Sequence, residues 1–197
     1  MRAKLGYAAV LAGVALAVAV APAAADCGGV QAAQPKKHPK YRSPLAIGDS
    51  TMLLAMPNLA RLGYEVNAHG CRGWTEGLKL LRERRHSKTL PHLVVMALGT
   101  DWSITPNEVR KALHVLGPDR MLGLVTPREL GGGAGSDADV VREEGKQRPR
   151  HVKVLDWVDY SGGHSSWFQP DGAHLTFSGA RAFARLLRKA LPLAPPH

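Results

Sequence analysis

Apolar and polar positions along the chain alternate between short unbroken apolar runs and stretches with helical spacing. Residues 43–47 (Ser-Pro-Leu-Ala-Ile) predict a short buried strand, with Pro44 near its start, where a missing backbone N–H is tolerated. Met52, Met56, Leu59 and Leu62 then follow helical spacing; Pro57 kinks or restarts that helix and Gly63 stops it. Residues 64–68 read as a second strand, residues 69–74 as a loop, and Thr75 as the cap of a helix carrying Leu78 and Leu81. The clearest strand is 92–98, a continuous apolar run of the kind that is covered on both faces in a parallel sheet. Thr105-Pro106-Asn107-Glu108 is a capping box, and Gly117-Pro118 ends the helix it starts. Residues 121–125 repeat the strand pattern, 131–135 form a glycine-rich mobile loop before Ser136 caps a short helix, and 152–156 give a fifth strand. A closing helix begins near Thr176 or Ser178 and carries Phe183, Leu186, Leu187 and Leu191. Strands alternating with helices imply a three-layer α/β/α domain with a five-stranded parallel sheet over 43–192, followed by a tail at 193–197. In such a domain the ligand site lies beyond the carboxyl ends of the strands. Ser50, Gly70 to Gly73, Gly99 to Asp101, Thr126-Pro127 and the segment before His174 all fall at that edge.

The N-terminus changes the setting. Arg2 and Lys4, an apolar stretch from Leu5 to Ala21 and the exit Pro22-Ala23-Ala24-Ala25 have the three parts of a secretory signal, with cleavage expected after Ala25. An uncleaved membrane anchor is the alternative, since about 17 apolar residues lie at the lower limit for spanning. After cleavage no stable membrane span is expected, and residues 26–42, rich in Gly, Pro and Lys, read as a linker or draped arm. With Arg2 and Lys4 removed the formal charge falls from +10 to +8. A basic exported protein meets anionic cell-wall polymers or lipid headgroups, so no nucleic-acid partner is expected. Both cysteines, Cys27 and Cys71, lie in the exported part, where oxidation is permitted, and are expected to form a disulfide.

Candidate chemistry centres on Gly48-Asp49-Ser50 and Asp171-Gly172-Ala173-His174. A serine hydroxyl needs a base within hydrogen-bond reach and a group that orients the base. Asp171 and His174, three residues apart, supply both from one turn: the carboxylate meets one imidazole nitrogen while the other faces Ser50. The nine histidines show no paired metal-ligand spacing, so neither a metal nor a cofactor is expected. The glycine run lacks a following Lys-Ser/Thr, which argues against a nucleotide loop. No Gly-x-Ser-x-Gly elbow is present, which argues against the ordinary α/β-hydrolase fold.

Taken together, Gly48-Asp49-Ser50 and Asp171-Gly172-Ala173-His174-Leu175-Thr176 resemble the SGNH (GDSL-type) hydrolase superfamily over about 44–191. Residues 156–168 resemble the subgroup related to the extracytoplasmic domains of peptidoglycan O-acetyltransferases. The resemblance implies a flavodoxin-like fold, Ser50 as nucleophile, and an oxyanion hole formed by the Ser50 N–H, a glycine of the second block and an asparagine of the third. Gly73 is the choice for the glycine, with Gly70 as runner-up. The third block departs from the pattern, since Leu98-Gly99-Thr100-Asp101 places a carboxylate where the superfamily has an amide donor. Asp101 is then protonated in place, or turned away while backbone N–H groups serve, or impairs catalysis. Arg72, Trp102 and Trp167 are candidate substrate-binding residues, the tryptophans by stacking on a sugar ring. The expected function is an exported serine esterase or acyltransferase acting on an acylated carbohydrate, a small ester or O-acyl groups of a cell-wall polymer. The alternative is a catalytically weakened SGNH domain that binds cell-wall glycan.

Overall fold

The computed structural model describes residues 27–37 and 40–197. The proposed signal segment at 1–25 lies outside them. Element order is β1 (Gln31–Ala33), β2 (Leu45–Gly48), a 3-10 segment (Ser50–Ala55), α1 (Met56–Arg61), β3 (Glu65–Ala68), α2 (Trp74–His86), β4 (Leu93–Ala97), α3 (Pro106–Leu116), β5 (Met121–Val125), α4 (Ser136–Gln147), β6 (Val152–Leu155), α5 (Trp157–Tyr160), a 3-10 turn (Ser165–Trp167), α6 (Phe177–Arg188) and a 3-10 turn (Leu191–Leu193).

The sheet has six strands, not five, in the order β1-β3-β2-β4-β5-β6. Strands β2 to β6 pair in parallel in the flavodoxin-like order, and β1 runs antiparallel on the β3 edge, with Gln31 opposite Ala68 and Ala33 opposite Val66. Part of the expected linker is therefore an edge strand. Its Gln-Ala-Ala sequence carries no hydrophobic alternation; it is held by pairing with the free β3 edge, by the Cys27–Cys71 disulfide, and by the Lys36 N–H donating to the Ala60 carbonyl at 2.8 Å.

Alternation along the strands divides the core into two layers. Leu93, Val95 and Ala97 of β4 face α1 and α6, packing with Met56, Leu59, Phe183 and Leu187. Val94 and Met96 face α2, α3 and α4, with Leu78, Leu81, Val109, Leu116 and Val141. Thr105 and Glu108 form the expected capping box of α3. Two caps differ from expectation: Gly73, not Thr75, is the N-cap of α2, and Gly135, not Ser136, that of α4, neither with a side-chain cap. No helix among the described residues is long and apolar enough to cross a membrane.

Candidate active site

Strand β2 is fully buried between β3 and β4 and delivers the chain to the carboxyl edge of the sheet at Gly48. A Cβ there would lie 2.6 Å from Met52 Cβ, so glycine lets the following 3-10 turn fold back tightly. Asp49, 1% exposed, caps that turn: its Oδ1 accepts from the Thr51 N–H at 3.0 Å and the Thr51 hydroxyl at 2.6 Å. The same carboxylate reaches the third block, where the Thr100 N–H donates to Oδ2 at 3.4 Å. Burial raises the Asp49 pKa, the hydrogen bonds from Thr51 and Thr100 oppose the rise, and the nearby Asp101 charge adds to it. Ser50 follows at the first position of the turn, where its N–H has no acceptor within the helix.

Asp171 and His174 come from a compact turn before α6. Asp171 Oδ1 accepts from the Ala173 and His174 N–H groups, each at 2.9 Å, and its Oδ2 accepts from His174 Nδ1 at 2.8 Å. Nδ1 then carries the proton, which leaves His174 Nε2 as acceptor for the Ser50 hydroxyl, 2.9 Å away. Burial alone would raise the Asp171 pKa; the two backbone donors and the His174 ring outweigh it and hold the carboxylate below its ordinary range. Sequence spacing left open whether the residues would meet; the fold joins Ser50, His174 and Asp171 in one hydrogen-bonded chain.

Three features that shape the site carried no sequence signal of that role. Arg128, in the loop after β5, donates from Nε to the Gly172 carbonyl at 2.7 Å and lies over the Phe168 ring at 4.1 Å. Burial pushes its guanidinium below the ordinary arginine range. The Gly131 N–H donates to the Asp171 carbonyl at 2.7 Å, so the glycine run braces the turn. Gly172, at φ 75°, fits tightly against it, since a Cβ there would lie 2.7 Å from Gly132 N. Asp49 is the third: Gly-Asp-Ser drew attention to Ser50, while Asp49 couples the first and third blocks.

The remaining expected site residues divide. Gly73 sits at the N-cap of α2 under the Trp102 ring, 3.3 Å from where its Cβ would be, whereas Gly70 is needed for packing because a Cβ there would lie 2.3 Å from the Cys27 carbonyl oxygen. Asp101 is exposed and its carboxylate has no hydrogen-bond partner among the described residues. Trp102 is 61% exposed and donates from Nε1 to the Cys71 carbonyl at 3.0 Å, which leaves its ring face as the open feature. It borders a depression of about 940 Å³ that also includes Gly73, Lys79 and Arg82. Two expectations are corrected. Arg72 does not face a ligand: it is 2% exposed, with its guanidinium donating to the Gly48 and Asn67 carbonyls and to Glu76. Trp167 is occupied by packing, stacked with His164 at 3.9 Å and with Trp157 at 5.9 Å. Cys27 and Cys71 are joined, at a Cα–Cα distance of 5.3 Å, which ties β1 to the loop leading into Gly73. Among the described residues no group of three or more His, Cys, Asp or Glu could hold a metal ion.

No protein-family model matches the chain. It is 28% identical over 155 residues to the peptidoglycan O-acetyltransferase OatA of Listeria monocytogenes, a match that takes in 75% of this chain and 24% of that protein. The chain thus spans about a quarter of that relative's length. Among solved structures, the C-terminal catalytic domain of Streptococcus pneumoniae peptidoglycan O-acetyltransferase A, carrying a methylsulfonyl adduct, superposes with a TM-score of 0.66 at 23% identity, over 80% of this chain and 98% of that one. A member of the lipolytic G-D-S-L family from Veillonella parvula superposes with a TM-score of 0.56 at 14% identity, over 77% and 98%. Flavodoxin-like strand order, a serine at the β2 exit and an Asp-x-x-His turn before the last helix agree with these likenesses, and the chain shares the fold of these proteins.

Proposed function

We propose that this protein is a serine esterase or O-acyltransferase that forms an acyl-enzyme on Ser50 and acts on O-acyl groups of cell-wall glycan. The hydrogen-bonded chain from Ser50 Oγ through His174 to Asp171 carries the reading. Ser50 Oγ attacks the acyl carbonyl carbon while His174 Nε2 takes its proton; the tetrahedral intermediate collapses and the sugar oxygen leaves with that proton. Water or a second sugar hydroxyl then attacks the acyl-enzyme by the same route in reverse, so hydrolysis and transfer differ only in the acceptor. The Ser50 and Gly73 N–H groups serve the oxyanion, Asp171 holds the tautomer, and the open Trp102 face receives a sugar ring. Export with removal of residues 1–25 fits the Cys27–Cys71 disulfide, which an oxidising compartment permits. An organophosphonate probe tests the nucleophile: labelling of the wild type should vanish in Ser50→Ala, and labelling independent of Ser50 would reject it.

One observation favours a second reading. The Asp101 carboxylate, at the third donor position, is free of hydrogen bonds among the described residues and would repel an oxyanion. A weakened enzyme that holds cell-wall glycan in the same cleft would co-sediment with purified peptidoglycan as Ser50→Ala as well as in the wild type. Absence of retention at low salt would exclude it.

A further inference from the structure

Away from the Ser50 site, α1 and α6 enclose a groove of about 240 Å³ lined by Arg61, Arg181, Arg185 and Arg188, with Asn58, Leu62 and Ala184. No aspartate or glutamate occurs between Asp49 and Glu65 or after Asp171, so neither helix nor the tail carries an acid to balance them. Among the described residues none of the four arginines forms an ion pair. The Arg61 guanidinium donates to Asn58 Oδ1, and Arg185 lies 5.9 Å from the Trp167 ring centre; all four are exposed. Elsewhere Arg84, Arg142 and Arg148 each find a carboxylate.

We infer that this groove binds the phosphodiester backbone of an anionic polymer. Arg181, Arg185 and Arg188 stand at i, i+4 and i+7, roughly 6 and 4.5 Å apart along α6, and Arg61 faces them from α1. Cations converging from two helices surround a tetrahedral oxyanion, whereas one guanidinium fork already satisfies a planar carboxylate. A row of charges along the helix suits a repeating anion better than a single one. Bound there, the polymer would hold the domain at the cell wall without entering the Ser50 site.

Isothermal titration of the secreted protein with a synthetic poly(glycerol phosphate) oligomer tests the proposal, with polygalacturonate as a carboxylate polyanion and phosphatidylglycerol vesicles as a lipid surface. The expected result is binding of the phosphate polymer that weakens at least tenfold in Arg181→Gln/Arg188→Gln, while Arg110→Gln/Lys111→Gln on α3 leaves it unchanged and aryl-ester turnover is the same in all three proteins. Melting temperatures within a few degrees of wild type establish that the variants fold. Equal affinity for polygalacturonate, equal loss in the α3 pair, binding of vesicles in place of the polymer, or no binding by the wild type would each overturn it. None of these outcomes depends on the Ser50 chemistry, and Ser50→Ala should bind the polymer normally.

Discussion

Asp101 is the residue whose replacement is most informative. It is exposed, without a hydrogen-bond partner among the described residues, where the SGNH pattern has an amide donor. One oxyanion donor contributes roughly 2.7–4 kcal/mol to the transition state, so Asp101→Asn should raise kcat on an aryl acetate by tenfold or more. Superimposable kcat profiles against pH would remove this position from the oxyanion site. Asp49 makes a different prediction. Its pKa is raised by burial, so the folded state binds the proton more tightly than the unfolded chain, and stability declines as pH climbs from the ordinary aspartate range to the raised value. Asp171 runs the other way: its pKa is depressed, and its contribution, present above the ordinary range, is lost as pH falls through the lowered value. Denaturant titrations from acid to neutral pH should show Asp49→Asn flattening the first trend and Asp171→Asn the second. Asp171→Asn should also cut kcat by roughly 10³ to 10⁴ with the fold intact, because the amide turns a donor toward Nδ1 and favours the wrong tautomer.

Among the elements, the strands and the capping box were legible because burial on both faces and the Thr105–Glu108 spacing leave direct marks in the sequence. β1 was not, since three residues of Gln-Ala-Ala have no period and become a strand only against the β3 edge. The glycine run 131–135 reads as a mobile loop in isolation; its contact with the Asp171 turn joins segments about 40 residues apart, and no local pattern encodes that. Ser50, Asp171 and His174 stood out as residue types at suggestive spacing, while Arg72 misled because a buried arginine satisfied by carbonyls looks the same in sequence as one awaiting a ligand. Gly172→Ala should lower both the melting temperature and kcat, since the added Cβ meets Gly132 N at 2.7 Å in a left-handed turn. An unchanged kcat would show that the brace does not position His174.

For the whole molecule, the Cys27–Cys71 bridge joins positions 44 apart in sequence and fixes the edge strand to the loop entering Gly73. Loop-closure entropy assigns it about 4 kcal/mol, so reduction of the folded protein should lower its urea midpoint clearly, and alkylation without reductant should find no free thiol. Catalysis at this site requires Ser50 to take up the acyl group. Rapid acid quench during turnover of an aryl acetate, followed by peptide mapping, measures this directly. An acetyl group on the peptide containing Ser50 in the wild type, absent from both Ser50→Ala and His174→Ala, is the predicted result; steady turnover with no acetylated Ser50 peptide, or turnover that survives in Ser50→Ala, would contradict it.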